Sequence, residues 1–387
     1  MAVFGLVSSV AGFVKVRYLI DKAVIDNMVF RMHYRITSAI LFLCCILVTA
    51  NNLIGDPISC IGDGAIPSHV INTYCWITYT FTLPNSNSKA IAHPGIGTDV
   101  DGDEKRIHAY YQWVPFMLFF QGLLFYVPHW IWKNWEEGKV RMISDGMRGT
   151  AATIADDKNN RLNRLVQYLV DTRHMHNSYS FGYFFCELLN FTNVVGNIFF
   201  LDTFLGGAFL TYGSDVVKFS NMNQEQRTDP MIEIFPRITK CTFHKFGPSG
   251  SIQKHDALCV LALNILNEKI FIFLWFWFII LSVVTGLALL YSAAVVLLPS
   301  TRETILKRRF RFGTPSGVES LVRKTQVGDF LLLHLLGQNM SLRVFGEVLD
   351  ELSRRLHMNS NAPSAPSTLE MAPIYPNIDK YAKETET

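Results

Sequence analysis

Four long apolar stretches interrupt a sequence that is otherwise mixed in polarity. They run over residues 36–54, 113–132, 181–204 and 270–298. About 20 helical residues cross a hydrocarbon core of about 30 Å, so each stretch is long enough to span a membrane. The third stretch is the most polar, because it carries Glu187 and Asp202. The pattern predicts four transmembrane helices, and an even number of spans places both chain termini on one side.

The segments between and around these stretches are polar or amphipathic. They comprise residues 1–35, 55–112, 133–180, 205–269, 299–358 and 359–387. Apolar residues recur at helical spacing within 318–356, which predicts amphipathic helices in a packed helical region. The GPSG sequence at 247–250 predicts a turn between two short strands. The last segment combines serine and alanine with four prolines and is typical of a disordered tail.

Composition and charge support a membrane protein and orient it. Of the 387 residues, 49% are hydrophobic and 17% are charged, which is unusually apolar for a soluble protein. The segments on the side of the termini hold 25 Lys and Arg residues: 5 before the first span, 8 between the second and third, and 12 after the fourth. The two segments on the other side hold 10, with 3 in 55–112 and 7 in 205–269. Basic residues concentrate on the cytoplasmic side, so both termini are predicted to be cytoplasmic. At the start of the chain, Lys15 and Arg17 follow a short apolar run instead of preceding it. This order predicts a retained amphipathic helix and not a cleaved signal peptide.

Seven cysteines divide between spans and loops. Three of them, Cys44, Cys45 and Cys186, fall inside predicted spans and are most simply small packing residues. The other four lie in the two loops predicted to be extracellular, one pair in each: Cys60, Cys75, Cys241 and Cys259. An oxidising exterior favours disulfides, and four cysteines permit three pairings that the sequence leaves open.

A zinc site is the alternative for the second of these loops. Cys241, His244, His255 and Cys259 are spaced like a set of metal ligands. The even distribution of loop cysteines favours the disulfide framework, in which the two histidines have no metal role and no metal site is predicted.

Polar side chains follow one face of the third span. Glu187, Asn190, Asn193 and Asn197 recur at intervals of three and four, which places them on one side of a helix. Two interpretations stay open. The face lies near water or at a seam between subunits, or its asparagines join neighbouring helices by hydrogen bonds.

Other motifs are less specific. Pro115 and Pro128 in the second span predict a kink, which is either a gating hinge or a fixed bend. The acidic run at 99–104 begins like a calcium loop but lacks its sixth-position glycine and twelfth-position glutamate, so a solvated acidic loop is favoured. His174 and His176 form an HxH pair that is most simply part of a solvated loop.

The sequence contains no arrangement typical of catalysis. It has no phosphate-binding glycine loop, paired catalytic carboxylates or nucleophile constellation at a convincing spacing. We therefore predict no enzyme activity, no cofactor and no nucleic-acid partner. The basic cluster at 307–312 suits anionic lipid head groups, so membrane lipids are expected contacts.

Several long motifs resemble the innexin family, the gap-junction proteins of invertebrates. YYQWV (Tyr110, Tyr111, Gln112, Trp113, Val114) leads into the second span, and Pro128 and Trp132 follow in a PxxxW spacing. The other motifs are IGDPISC at 54–60, YGSDVVKF at 212–219, KCTFHKFGPSGS at 240–251 and NEKIFIFLWFWFIILS at 267–282. The resemblance covers the chain to about residue 355.

The resemblance implies an all-α membrane protein whose four-helix subunits form a pore. It implies an octameric hemichannel that docks with a second one on the apposed cell through extracellular loops that carry short strands. The implied disulfides are Cys60 to Cys259 and Cys75 to Cys241. The N-terminal segment is implied to form a pore funnel, with Ala2, Val3, Phe4 and Val7 as its candidate residues.

The expected function is a gap-junction channel that passes ions and small metabolites between adjacent cells. The expected location is the plasma membrane at cell junctions, with cytoplasmic termini and a cytoplasmic helical region, and partner subunits are identical copies or related innexins. Two alternatives stay open: an undocked hemichannel that releases solutes, and a four-span adhesion or scaffold protein without a conduit.

Overall fold

The structure is a computed structural model that describes residues 23–83, 95–97, 104–144, 147, 155–220, 229–309 and 315–361. Its helices in chain order are α1 (Met28–Ile54), α2 (Ser68–Ile77), α3 (Val114–Glu136), α4 (Lys139–Ile143), α5 (Ala155–Asp171), α6 (Asn177–Phe204), α7 (Phe209–Ser220), α8 (Pro230–Ile234), α9 (Leu263–Leu297), α10 (Pro299–Arg309), α11 (Pro315–Lys324), α12 (Val327–Asn339) and α13 (Leu342–Asn361). Its strands are β1 (Ser59–Ile61), β2 (Thr80–Thr82), β3 (Arg106–His108), β4 (Ile238–Phe246) and β5 (Ile252–Val260).

Four of the described helices, α1, α3, α6 and α9, are long and apolar enough to cross a membrane. These are the four predicted spans, and the helices continue beyond the apolar stretches. Helix α1 begins at Met28, eight residues before the stretch at 36–54, because the Asn27 side chain accepts a hydrogen bond from the Phe30 N–H at 2.7 Å and caps the helix. Helix α3 continues to Glu136 and ends where Glu137 and Gly138 take positive φ values of 54° and 77°. Backbone hydrogen bonding therefore extends the helices into polar sequence.

At one end of the helices, called here the sheet end, the two loops that carry cysteines form one antiparallel sheet. The strand order is β1-β5-β4-β2-β3, so strands from the first loop flank the β4–β5 hairpin of the second loop on both sides. The predicted GPSG turn joins β4 to β5 and is confirmed: the Gly247 N–H donates to the Ser251 carbonyl at 2.8 Å, and Gly250 has a φ of 80°.

At the other end, called here the helical end, α4, α5 and α10 to α13 pack against the nearby ends of the spans. The prediction of amphipathic helices over 318–356 is confirmed for α11 and α13 but is wrong for α12, which has no polar face. Helix α12 is buried on almost every side, with five leucines at 6% exposure or less: Leu331, Leu332, Leu333, Leu335 and Leu336. A helix that is apolar all round is stable only when neighbours enclose it, and α12 is the centre of this core.

Some predictions concern residues outside the described part of the chain. The funnel candidates Ala2, Val3, Phe4 and Val7 precede residue 23, and most of the predicted disordered tail follows residue 361. Of the acidic run at 99–104, only Glu104 is described.

Candidate functional site

Two disulfides join the first cysteine loop to the second at the sheet end. Cys60 on β1 is bonded to Cys259 on β5, and Cys75 on α2 is bonded to Cys241 on β4. These are the pairs that the family resemblance implies. Cys60 and Cys259 lie opposite each other in the sheet register, and all four side chains are at most 6% exposed. The two loops therefore form a single covalently closed unit.

The YYQWV motif attaches this unit to the start of α3. The Tyr111 hydroxyl donates to the Cys75 carbonyl at 3.1 Å, and the Tyr110 hydroxyl donates to the Ile234 carbonyl at 3.1 Å. Gln112 donates to the carbonyls of Trp76 and Ile77. Burial raises the pKa of Tyr111 to about 12, so its hydroxyl stays protonated and acts as a donor.

The last two residues of the motif diverge. Val114 is buried, whereas Trp113 is 62% exposed, as expected for an aromatic residue near a membrane boundary.

Two other family-like motifs contact each other where α7 meets α9. The Tyr212 hydroxyl donates to the Glu268 carbonyl at 3.1 Å. The Glu268 carboxylate is fully buried and pairs with Arg237 at 2.9 Å and Lys269 at 3.1 Å. Gly213 lies against Trp275 so closely that a Cβ would be 2.1 Å from the ring. Glycine is therefore required where α7 approaches α9.

Pro128 and Trp132 lie on the buried face of α3. Trp132 is fully buried and donates its indole N–H to the Ile25 carbonyl at 2.9 Å. Its ring is tilted against Tyr179 and meets Tyr183 edge to face. Helix α3 continues through Pro128, while Pro115 lies in the first turn, where proline costs no internal hydrogen bond. Of the two prolines, Pro128 is therefore the one that interrupts the backbone hydrogen bonds of α3.

The polar face of α6 points mainly into the subunit. Glu187, Asn190 and Asn197 are at most 5% exposed. The Glu187 carboxylate accepts hydrogen bonds from the Asn27 amide at 2.6 Å and the Ser292 hydroxyl at 2.7 Å, and so connects α6 to the start of α1 and to α9. Asn197 donates to the side chain and carbonyl of Asn193, at 3.0 and 2.8 Å.

Comparison with known proteins agrees with this arrangement. The innexin family model matches residues 26–356. The chain belongs to the innexin family. It is therefore a gap-junction channel subunit, a multi-pass membrane protein of cell junctions, and the predicted fold of four spanning helices with disulfide-linked loops and short strands is confirmed.

Curated innexins are similar over nearly their whole length. Innexin inx3 of Drosophila melanogaster is 64% identical over 397 aligned positions, covering 100% of both chains. Innexin inx2 of the same organism is 49% identical and covers 91% of this chain and 96% of its own. Innexin inx2 of Schistocerca americana is 48% identical, with 91% and 98% covered.

In this innexin, hydrogen bonds from several helices hold residues 24–27, which the sequence did not predict. The Val24 N–H donates to the Asn339 side-chain oxygen at 2.7 Å, and the Asn339 amide donates to the Val24 carbonyl at 2.8 Å. Asp26 is 3% exposed and accepts from Arg31 at 2.6 Å and Tyr34 at 3.0 Å. With the Trp132 and Glu187 bonds, this segment is attached to α3, α6 and α12.

A second junction of this innexin joins the start of α6 to α12. The Asp329 carboxylate accepts from the N–H groups of His174 and Gln326 and from the His176 ring at 3.0 Å. Burial acts to raise the pKa of Asp329, but hydrogen bonds from His176, His174 and Gln326 outweigh it and hold the pKa below its usual range. His176 is 6% exposed, so the solvated-loop interpretation is wrong for this residue, which contacts a helix distant in sequence.

We predict that the purified innexin contains no stoichiometric zinc. The sulfur atoms of Cys60, Cys75 and Cys259 lie within 4.8 Å of one another, but all are committed to disulfides and offer no thiolate. His255 contacts Asp63 at 2.8 Å, and this hydrogen bond lowers the pKa of the Asp63 carboxyl. Elemental analysis of protein purified without chelator checks the prediction, and one zinc per chain, lost in His255→Ala, would contradict it.

Proposed function

We propose that eight copies of this innexin form a hemichannel around a central pore, and that two hemichannels on apposed cells dock through their sheet ends. The observation that carries this proposal is the covalent sheet. Both disulfides cross between the two loops, at sequence separations of 199 and 166 residues. A surface held in this way loses little conformational entropy when it meets a partner.

The outer rim of the sheet end supports a docking role. Phe246 and Ile252, next to the hairpin turn, are 72% and 61% exposed, and Ile61 on the edge strand β1 is 69% exposed. Exposed apolar side chains at the tip of the hairpin and on β1 are suited to contact with another protein.

The proposed orientation places the sheet end outside the cell and the helical end, with both termini, in the cytoplasm. Lys and Arg are distributed 25 to 10 in favour of the helical side. Disulfides are stable in the oxidising exterior and rare in the cytosol. These two independent properties favour the same orientation.

The N-terminal segment, including Ala2, Val3, Phe4 and Val7, is proposed to form the funnel at the pore mouth. Its attachment supports this role, because residues 24–27 are fixed by α3, α6 and α12.

Transport through such a pore is diffusion, so the proposed function requires no catalytic step, cofactor or nucleic acid. The similarity to several different innexins supports mixed assemblies as well as homomeric ones. Membrane lipids are expected around the spans, whose outer faces carry exposed apolar residues such as Phe116 and Leu287.

The test is junctional conductance between paired cells that lack endogenous coupling. We expect junctional current when both cells express the protein. We expect no junctional current when only one of the two cells expresses it. If current flows only when the second cell expresses a related innexin, the protein does not dock with itself and requires that partner.

Two other outcomes would overturn the docking proposal. Dye uptake by single cells with no junctional current favours a hemichannel that stays undocked. Cell adhesion with neither junctional current nor dye uptake favours the scaffold alternative.

A further inference from the structure

A small, partly open cavity lies between α1, α6 and α9, apart from the docking face. Its polar lining consists of Asn27, His33, Glu187, Asn190 and Thr285. It leaves about 10 Å³ for the centre of a water molecule, which is about what a single water needs.

Two buried side chains on this lining have polar atoms without a hydrogen-bond partner among the described residues. They are the Nδ1 atom of His33 and both amide atoms of Asn190. His33 is 0% exposed and Asn190 is 1% exposed. Leaving a buried polar group unsatisfied destabilises the fold, and most buried polar groups in native proteins bond to protein groups or to ordered water. The residues that line the cavity therefore carry three atoms that need a partner.

The neighbouring hydrogen bonds determine what His33 offers. The Thr285 hydroxyl donates to the Leu281 carbonyl at 2.6 Å, so its oxygen acts as acceptor in the 2.8 Å contact with His33 Nε2. The His33 Nε2 atom must then carry the proton. In neutral imidazole the other nitrogen has a free lone pair, so Nδ1 is an unused acceptor on a residue that lines the cavity.

We propose that this cavity is a binding site for one water molecule. The water donates a hydrogen bond to His33 Nδ1 and accepts one from the Asn190 amide, and its second proton is free for the Asn190 or Glu187 oxygen. A water fits these groups better than a cation, because the lining combines the Asn190 NH2 donor with the acceptors His33 Nδ1 and Asn190 Oδ1, and a cation has no use for a donor.

The water would position an irregular turn of α1. His33 lies in a π-helical turn, Met32–Thr37, and such turns recur at functional sites. The Thr37 hydroxyl in the same turn accepts from the Trp277 indole at 2.9 Å. The turn is thus attached to α9 through Thr285 and Trp277, and the water adds its attachment to α6. This inference is independent of the docking proposal.

The test is a cryo-electron microscopy map of the full-length oligomer at a resolution that shows ordered water. We expect a peak within 2.7–3.2 Å of His33 Nδ1 and the Asn190 amide. The peak should be lost in Asn190→Leu and kept in Asn193→Leu, a matched change one turn along that does not line the cavity. Hydrogen exchange of residues 32–37 should be faster in Asn190→Leu than in Asn193→Leu.

Three results would overturn the proposal, and all three come from the unmodified protein. They are the absence of a peak, a direct bond between His33 and Asn190, and a peak ligated by oxygens at the 2.0–2.6 Å typical of a cation. Failure of Asn190→Leu to fold does not affect these readings. In that case Asn190→Ser replaces Asn190→Leu. The map of this variant should keep the first water peak and show a second one in the space left by the shorter side chain.

Discussion

Serine in place of both cysteines of either loop disulfide should abolish junctional conductance between paired cells. The variants are Cys60→Ser with Cys259→Ser, and Cys75→Ser with Cys241→Ser. Each disulfide closes a chain segment of more than 160 residues, and removing a native disulfide typically costs about 2–5 kcal/mol. The loops would then lose the fixed relation between β1, β5, α2 and β4 on which a docking surface depends. Conductance and surface biotinylation, measured on the same cells, check the prediction.

The matched control is Cys45→Ser, which changes a free cysteine in α1. Its thiol donates to the Pro115 carbonyl at 3.3 Å, and a serine hydroxyl can make the same bond. This variant should conduct normally. The corresponding double alanine variants should fail like the serine ones, which excludes a buried hydroxyl as the cause. Normal coupling in all disulfide variants at normal surface levels would refute the docking role of the covalent sheet.

Alanine in place of Gly328 should disrupt the helical end. A Cβ at this position would lie 2.3 Å from the backbone C and O atoms of His176 and 2.7 Å from the Asn177 N atom. Because the contact is with backbone, no side chain can rotate away, and α12 must move from α6 and separate Asp329 from His176. Overpacking costs about 1–3 kcal/mol, and the lost Asp329 contacts add to it. Thermal unfolding of the purified oligomer, together with junctional conductance, measures the effect.

Gly196→Ala is the control for this prediction. Gly196 lies in α6, and a Cβ there has nothing within 4 Å. Alanine favours a helix over glycine by about 1 kcal/mol, so this variant should be as stable as the original protein or more so. Equal behaviour of the two alanine variants would mean that α12 does not approach His176 as closely as the structure has it.

The spans and the hairpin are predictable from the sequence because their signals are local. A run of apolar residues predicts a transmembrane helix whatever its neighbours are. The GPSG turn likewise follows from the conformational freedom of Gly250, whose φ is positive. The limits of the helices were less predictable, since a cap such as Asn27 extends α1 through polar residues.

The candidate sites were predictable only in part. The polar face of α6 is visible in the spacing of its asparagines, but its hydrogen bonds to Asn27 and Ser292 are not. The HxH pair is visible too, but burial of His176 depends on Asp329, 153 residues away. The contact between Val24 and Asn339 joins residues 315 apart and has no signal in either segment.

Local patterns in the chain were enough to establish the membrane class, the number of spans, the cysteines available for disulfides and the family motifs. These are properties of single residues or short windows, and hydropathy acts on them without regard to the rest of the chain. Packing in three dimensions was needed to establish which cysteines face each other, what encloses α12, which groups hold residues 24–27 and where His33 and Asn190 line a common cavity. Each of these depends on distances between segments that the packing of the spans brings together, and chain order does not encode those distances locally.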